Sequence, residues 1–283
     1  MSSLEHTAQD VAVGARPLFV AGSPRSGTTG LVSYLNRHRE ILICRERYKY
    51  VSPRGITPEL FTFERILDFR DGETNQSRDA HVKLLERKDP GTLKWVGDKY
   101  PQYYKNLPTL ARNNRGARFI VLYRPVEEVA ESFEARASNP KDRWPQKNGF
   151  EAGIRLWNAS LQHTRSFVES RSDPRLLIVD YHRFFGASDS FIPLLSSFLD
   201  VDFDDQVRSA WAKMSSRFAE GRRTKVPISP GHERLVRELK DHEAEAWTLD
   251  HLESQDDGRV VSRLSALARA RRLVSSRVTL GRR

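Results

Sequence analysis

A single cysteine, Cys44, among 283 residues leaves no intrachain disulfide to form, which excludes the disulfide-stapled secreted scaffolds. A reducing compartment is expected, and with it a cytoplasmic location. Long apolar runs are missing as well. None approaches the roughly 20 residues that a bilayer-spanning helix needs. Residues 1–15 read as a short arm in which Glu5, His6, Gln9 and Asp10 interrupt any signal-like apolar core. Internal repeats and low-complexity blocks are lacking, and no spacing of His, Asp and Cys resembles a metal centre. What the chain does have is 38% hydrophobic residues with 5 Trp and 14 Phe, enough for a sizeable core. It also has 47 Lys and Arg against 37 Asp and Glu, a formal net charge of +10 that favours anionic partners through long-range attraction. Nucleic acid, a membrane surface or a polyanionic small molecule would each satisfy that excess.

The run Leu18-Phe19-Val20-Ala21-Gly22 has the form of a buried parallel strand, and Leu31, Val32, Tyr34 and Leu35 then recur at helical spacing. Ile41-Leu42-Ile43 predicts a second strand that delivers Arg45 and Glu46 to its C-terminal end. Between Tyr48 and Asp89 the pattern weakens around the turn signals Ser52-Pro53-Arg54-Gly55 and Asp71-Gly72, so residues 48–92 read as a lid or acceptor-side insertion. Further strands are expected at Leu93–Lys99, Arg118–Tyr123 and Arg175–Asp180. Helices are expected through Tyr104 to Ala111, from Pro125 in a first turn with Glu127 and Glu128 on its dipole, at Phe150–Arg171, at Phe191–Leu199 and from about Leu235. A basic stretch punctuated by Pro and Gly runs from Arg217 to Glu233, and an Arg-rich tail occupies residues 258–283. Strands alternating with helices imply an α/β fold, P-loop-like and three-layered, with a mainly parallel central sheet of about five strands in one domain spanning residues 16–257.

Two clusters carry chemistry. Gly22-Ser23-Pro24-Arg25-Ser26-Gly27-Thr28-Thr29 joins the first strand to the first helix, where backbone N–H groups converge and the helix dipole favours an anion. The glycine spacing is that of the nucleotide-binding loop GxxxxGK[ST], yet Thr28 stands where that loop requires Lys, and the cation is Arg25 inside the loop. The second cluster is Arg124, at the end of the strand Arg118–Tyr123, with Ser132 eight residues later on the following helix. A magnesium-dependent ATPase would want Asp near a strand end, and this strand ends in Arg.

The first cluster resembles the 5'-phosphosulfate loop of the sulfotransferase family, whose members carry Pro-Lys/Arg-Ser/Thr-Gly-Thr-Thr after the first strand. The resemblance implies that Ser23 to Thr29 cradle the 5'-phosphosulfate of 3'-phosphoadenosine 5'-phosphosulfate (PAPS), that Arg124 and Ser132 hold its 3'-phosphate, and that Tyr181 contacts the adenine nucleotide. The basic loop with Arg222, Arg223 and Lys225 would add a late clamp on the phosphates, and no metal is required. Cytosolic members use His in a Lys-x-His motif, and Gly97-Asp98-Lys99-Tyr100-Pro101 has no His. Glu46, 21 residues after Arg25, and the Lys99-x-Pro101 segment instead resemble the tyrosylprotein, carbohydrate and bacterial members whose base is Glu. The implied reaction is in-line attack on sulfur with Glu46 as general base and Arg25 and Lys99 stabilising charge; His81 is the reserve base. The acceptor would be the hydroxyl, or a similar group, of a small molecule, carbohydrate, lipid or peptide. Trp144, Phe61, Phe63 and Trp95 either line its pocket or belong to the core. Two other readings stay open on sequence grounds: a P-loop kinase or NTPase, and a basic module that binds a membrane or nucleic acid. In the second, Arg263, Arg269, Arg271 and Arg272 alternate with Leu264, Leu267 and Leu273 in an amphipathic tail suited to a membrane surface. Nucleic acid is not an expected partner.

Overall fold

A computed structural model describes residues 14–69, 73, 74, 77–171, 175–186, 191–222 and 228–256, with the side chains of 171, 217–222 and 256 excepted. Five strands form one sheet: β1 Arg16–Gly22, β2 Ile41–Arg45, β3 Trp95–Lys99, β4 Arg118–Tyr123 and β5 Leu176–Asp180. Their order is β2-β3-β1-β4-β5 and every pairing is parallel. The mainly parallel sheet expected from the sequence is thus entirely parallel, with the phosphate-loop strand at its centre.

Parallel strands are buried on both faces, so both faces must be apolar. Phe19, Leu42, Val96, Phe119, Val121 and Ile178 point to one core, and Leu18, Val20, Ile43, Ile120, Leu177 and Val179 to the other. The first core is covered by residues of α2 Phe63–Leu67, α3 Arg78–Leu85, α4 Leu107–Asn113, α5 Val126–Ala137, α6 Phe150–Arg171, α10 Pro230–Leu239 and α11 His242–Asp256. The second packs on α1 Thr28–Leu35, α7 Tyr181–Phe185, α8 Phe191–Leu199 and α9 Asp205–Arg222. Among the described residues no helix is long and apolar enough to cross a membrane.

Several local expectations change. The helix expected through Tyr104 to Ala111 divides into a 3-10 turn, Pro101–Asn106, and α4. Pro108, at the start of α4, has no N–H to continue a ladder backward. Pro125 caps α5 from outside its first turn. The stretch from Arg217, read as an irregular basic segment, continues α9 to Arg222, and the last helical region starts at Pro230, capped by the Ser229 side chain, rather than near Leu235. The insertion at 48–92 contains short 3-10 turns besides α2 and α3. Trp95 and Phe61 are core residues, whereas Trp144 and Phe63 pack half-buried at the core margin. Cys44 is fully buried in β2, opposite Asp98 in register, and burial pushes its thiol pKa up.

Gly97 lets β3 approach β1. It lies opposite Leu18, and a Cβ there would stand 1.9 Å from the Leu18 carbonyl oxygen, a backbone atom of the central strand. Gly97→Ala is therefore expected to destabilise the protein by about 3 kcal/mol or more, the upper range for overpacking. The loss reads out as a lower urea midpoint.

Candidate active site

Because all five strands run the same way, their C-terminal ends meet at one edge of the sheet, the edge at which open α/β folds bind ligands. Each strand delivers a polar residue or loop there. β1 leads into Ser23–Gly27, β2 into Glu46, β3 ends in Lys99, β4 leads into Arg124 and β5 into Tyr181.

The loop after β1 turns tightly, with the Ser26 N–H donating to the Ser23 carbonyl at 3.0 Å. Gly27 caps α1 at φ 98°, and no carboxylate lies in the first turn. The leading N–H groups of a helix have no acceptors within it, so this end of α1 presents donors and a positive dipole. Ser23, Ser26 and Thr28 are buried beneath the loop, while Arg25 and Thr29 are exposed. The Ser26 hydroxyl has no hydrogen-bond partner among the described residues.

Arg25 stands in the left-handed region, at φ 69°. That conformation costs a non-glycine residue about 1–2 kcal/mol, and it is tolerated where surrounding contacts impose it. The contacts here come from the β4 side. Arg25 Nε donates to Ser132 Oγ at 3.0 Å, and Arg124 donates to the Arg25 carbonyl at 2.9 Å. The Arg124 guanidinium lies 4.2 Å from the centre of the Tyr181 ring, and that ring packs against Gly27. Arg25, Arg124, Ser132 and Tyr181, drawn from three separate strand ends, thus form one contact group. Although the residue as a whole is exposed, partial desolvation of its guanidinium lowers the Arg25 pKa, as do its neighbours Arg136 and Arg124.

Acidic groups stand behind these cations. Glu128 accepts from Arg124 Nε at 2.9 Å and faces His182 Nε2 at 2.9 Å. Asp142 takes two hydrogen bonds from Arg136, at 2.7 and 2.6 Å. The sequence reading gave Glu128 only a dipole role. Its position four residues after Arg124 at a helix start was the available signal. Arg136 and Asp142 carried none, because the loop joining them has no motif.

The other cluster lies at the ends of β2 and β3. Glu46 continues the ladder by one bond, its N–H donating to the Lys99 carbonyl at 2.7 Å. Its carboxylate meets Lys99 Nζ at 3.0 Å and Lys49 Nζ at 3.9 Å. Lys99 is nearly buried, with 5% side-chain exposure, whereas Glu46 keeps 26%. Glu46 is the second left-handed residue, at φ 58°. His81, the reserve base, is buried, and its Nε2 lies 2.8 Å from the Ile66 carbonyl oxygen, inside the insertion. The side chain of Arg222, and Arg223, Lys225 and the tail 258–283, lie outside the described residues.

A model of the sulfotransferase family matches residues 17–205, two thirds of the chain and all five strands. The chain belongs to the sulfotransferase family. Among solved structures, the sulfotransferase domain from the curacin biosynthetic pathway aligns at TM-score 0.50 and 16% identity, covering 80% of this chain and 98% of that one. The sulfotransferase domain of the Synechococcus PCC 7002 olefin synthase gives 0.47 at 17% identity over 76% and 97%. Mouse sulfotransferase SULT7A1, solved in complex with PAP, gives 0.47 at 16% identity over 79% and 82%. At such identities the likeness concerns the fold. No curated protein sequence matches this chain. This sulfotransferase is accordingly an enzyme of sulfuryl transfer, and Thr28, where a nucleotide loop has Lys, agrees with that family rather than with a kinase.

Gly27 couples the two halves of the contact group. A Cβ on it would lie 2.6 Å from Tyr181 Cε2, on a backbone with positive φ. Gly27→Ala is expected to cost about 1–3 kcal/mol of stability from strain and overpacking. Tyr181→Ala in the same chain should recover part of that loss, measured by urea unfolding.

Proposed function

We propose that this sulfotransferase uses PAPS as donor and transfers its sulfuryl group to a hydroxyl acceptor, with Glu46 as general base. In this reading the amides of Ser26 to Thr29, with Ser23 and Pro24 shaping the loop, receive the 5'-phosphosulfate. Arg25 and Lys99 face the bridging and sulfuryl oxygens, Arg124 and Ser132 take the 3'-phosphate, and Tyr181 lies against the nucleoside. The observation that carries the reading is the contact of Arg25 with Ser132 and Arg124, because one bisphosphorylated nucleotide must bridge the β1 and β4 loops. Repulsion of Arg25 by Arg136 and Arg124 also favours an anion at this place.

The acceptor hydroxyl then attacks sulfur in line with the bond to the 5'-phosphate oxygen. The new O–S bond forms as that S–O bond breaks, and the hydroxyl proton passes to Glu46. The leaving product is PAP, its fresh negative charge met by Arg25, Lys99 and the loop amides. Preorganised donors of this sort are worth about 3–4 kcal/mol each in a transition state. Cationic side chains supply the positive charge in this scheme, so no metal is assigned. The segment 48–92 follows Glu46 directly and forms the acceptor side. Exposed Tyr50, Val51, Leu67 and Val82 all lie in it, apolar side chains compatible with a small-molecule, lipid, carbohydrate or peptide acceptor.

The test is transfer of a labelled sulfuryl group from PAPS to a panel of 4-nitrophenol, octanol, octyl glucoside and N-acetyltyrosine amide, with PAP binding followed by calorimetry. Glu46→Gln should lower kcat by about 10²–10⁴-fold, the usual worth of general base catalysis, with PAP affinity retained. Arg124→Ala should weaken PAP about 10–100-fold and Ser132→Ala about 2–10-fold, as expected for charged and neutral hydrogen bonds. Unchanged PAP affinity in both would sink the 3'-phosphate assignment.

A further inference from the structure

β2 is an edge strand of the sheet, paired with β3 alone, so a carboxylate at its tip has no second strand to steady it. Immediately after its last ladder bond the chain leaves extended geometry at Glu46 and bends back, the Lys49 N–H reaching the Glu46 carbonyl at 3.4 Å. Such a bend turns the next N–H groups inward, where they need acceptors. Both find the same side chain. The Arg47 N–H donates to Asp98 Oδ1 at 2.9 Å and the Tyr48 N–H to Asp98 Oδ2 at 3.2 Å. The Tyr103 hydroxyl donates to Oδ2 at 2.7 Å.

Asp98 is fully buried, with 0% exposure. A buried carboxylate is costly unless hydrogen-bonded, and all three of these partners donate to its two acceptor oxygens. Burial raises its pKa, while the Tyr103, Arg47 and Tyr48 hydrogen bonds and then Lys99 oppose the rise. Asp98 also directly precedes Lys99 in β3, and Tyr103 follows in the adjoining 3-10 turn. One carboxylate therefore joins the strand that carries Lys99 to the turn that carries Glu46. An apolar residue there would strand two backbone N–H groups and release the turn.

We infer that Asp98 is a positioning residue for sulfuryl transfer. It holds the left-handed turn at Glu46, and so keeps the Glu46 carboxylate against Lys99 at the tip of an edge strand. The Tyr103 hydroxyl completes the clamp on the Oδ2 that also takes the Tyr48 N–H. Asp98 acts through Glu46 and touches no reactant. The inference rests on Glu46 being the base.

The experiment is a double-mutant cycle on the full chain with PAPS and the best acceptor of the panel above. Asp98→Asn leaves one backbone N–H facing an amide N–H, and it should lower kcat about 30-fold or more. Tyr103→Phe removes only the hydroxyl donor, keeps the fold if Asp98→Asn does not, and should lower kcat about 3–10-fold. Both should leave PAP affinity within about two-fold, because the loops assigned to the nucleotide's phosphates follow β1 and β4 and both substitutions leave the Lys99 side chain itself intact. In a Glu46→Gln background the same substitutions should change the residual rate by less than about two-fold, since residues that act as a unit are not additive. Equal losses in both backgrounds, or PAP affinity falling together with kcat, would overturn the positioning role. So would undiminished kcat in Tyr103→Phe and Asp98→Asn while Glu46→Gln is impaired. A wild-type rate in Glu46→Gln would instead overturn the base assignment and the role of Asp98 with it.

Discussion

The uniform direction of the five strands is the constraint from which the site follows. A parallel sheet places every strand's C-terminal end on one edge, so segments far apart in the chain are delivered side by side without any contact between them along the way. Arg25 and Ser132 are 107 residues apart in sequence and share a hydrogen bond. Glu46 and Lys99 are 53 apart and form an ion pair. Both cores exist to hold this sheet, and the alternation of Phe19 and Val20, or Val121 and Leu122, between them is the physical record of its two covered faces.

Charge at that edge is arranged in opposing layers. Arg136 and Arg124 both repel Arg25 across the phosphate loop. Glu128 and Asp142 stand behind two of them and fix their guanidinium planes. The third, Arg25, is held by a neutral hydroxyl and its own strained backbone, which leaves it the least compensated of the three. An anionic donor bound as proposed would meet oriented cations there, with little reorganisation left to do. The β2–β3 side is built differently. Glu46 and Lys99 neutralise each other, and the buried carboxylate of Asp98 supports them from below.

Two of the non-glycine residues with left-handed backbone, Arg25 and Glu46, are those to which the sequence argument had already given chemical roles. Strain of this kind persists only where neighbouring contacts over-determine it. For Arg25 those contacts come from Arg124 and Ser132, and for Glu46 from Lys99 and Asp98.

Features that depend on a few consecutive residues were legible from the chain alone. The strand, loop and helix from Leu18 to Leu35, the strand Arg118–Tyr123 and the helix Phe150–Arg171 are written in local periodicity and in the Gly, Pro and Ser chemistry of the turns. So was the family, and the residues of the two clusters proposed to hold the donor's phosphates are each carried within one or two turns of a strand end. The helical run of α9 past Arg217 and the break at Pro108 were obscured by mixed signals that packing resolved. Which loops touch was decided only by the tertiary structure, since strand order cannot be read from strand identity. The placing of Tyr181 on Gly27, the partners of Glu128 and Asp142, and the anchoring of the Glu46 turn by Asp98 all depend on which strands are neighbours. A side chain's chemical type is local and survives in the sequence, whereas the partner that gives it a task is set by packing across the sheet.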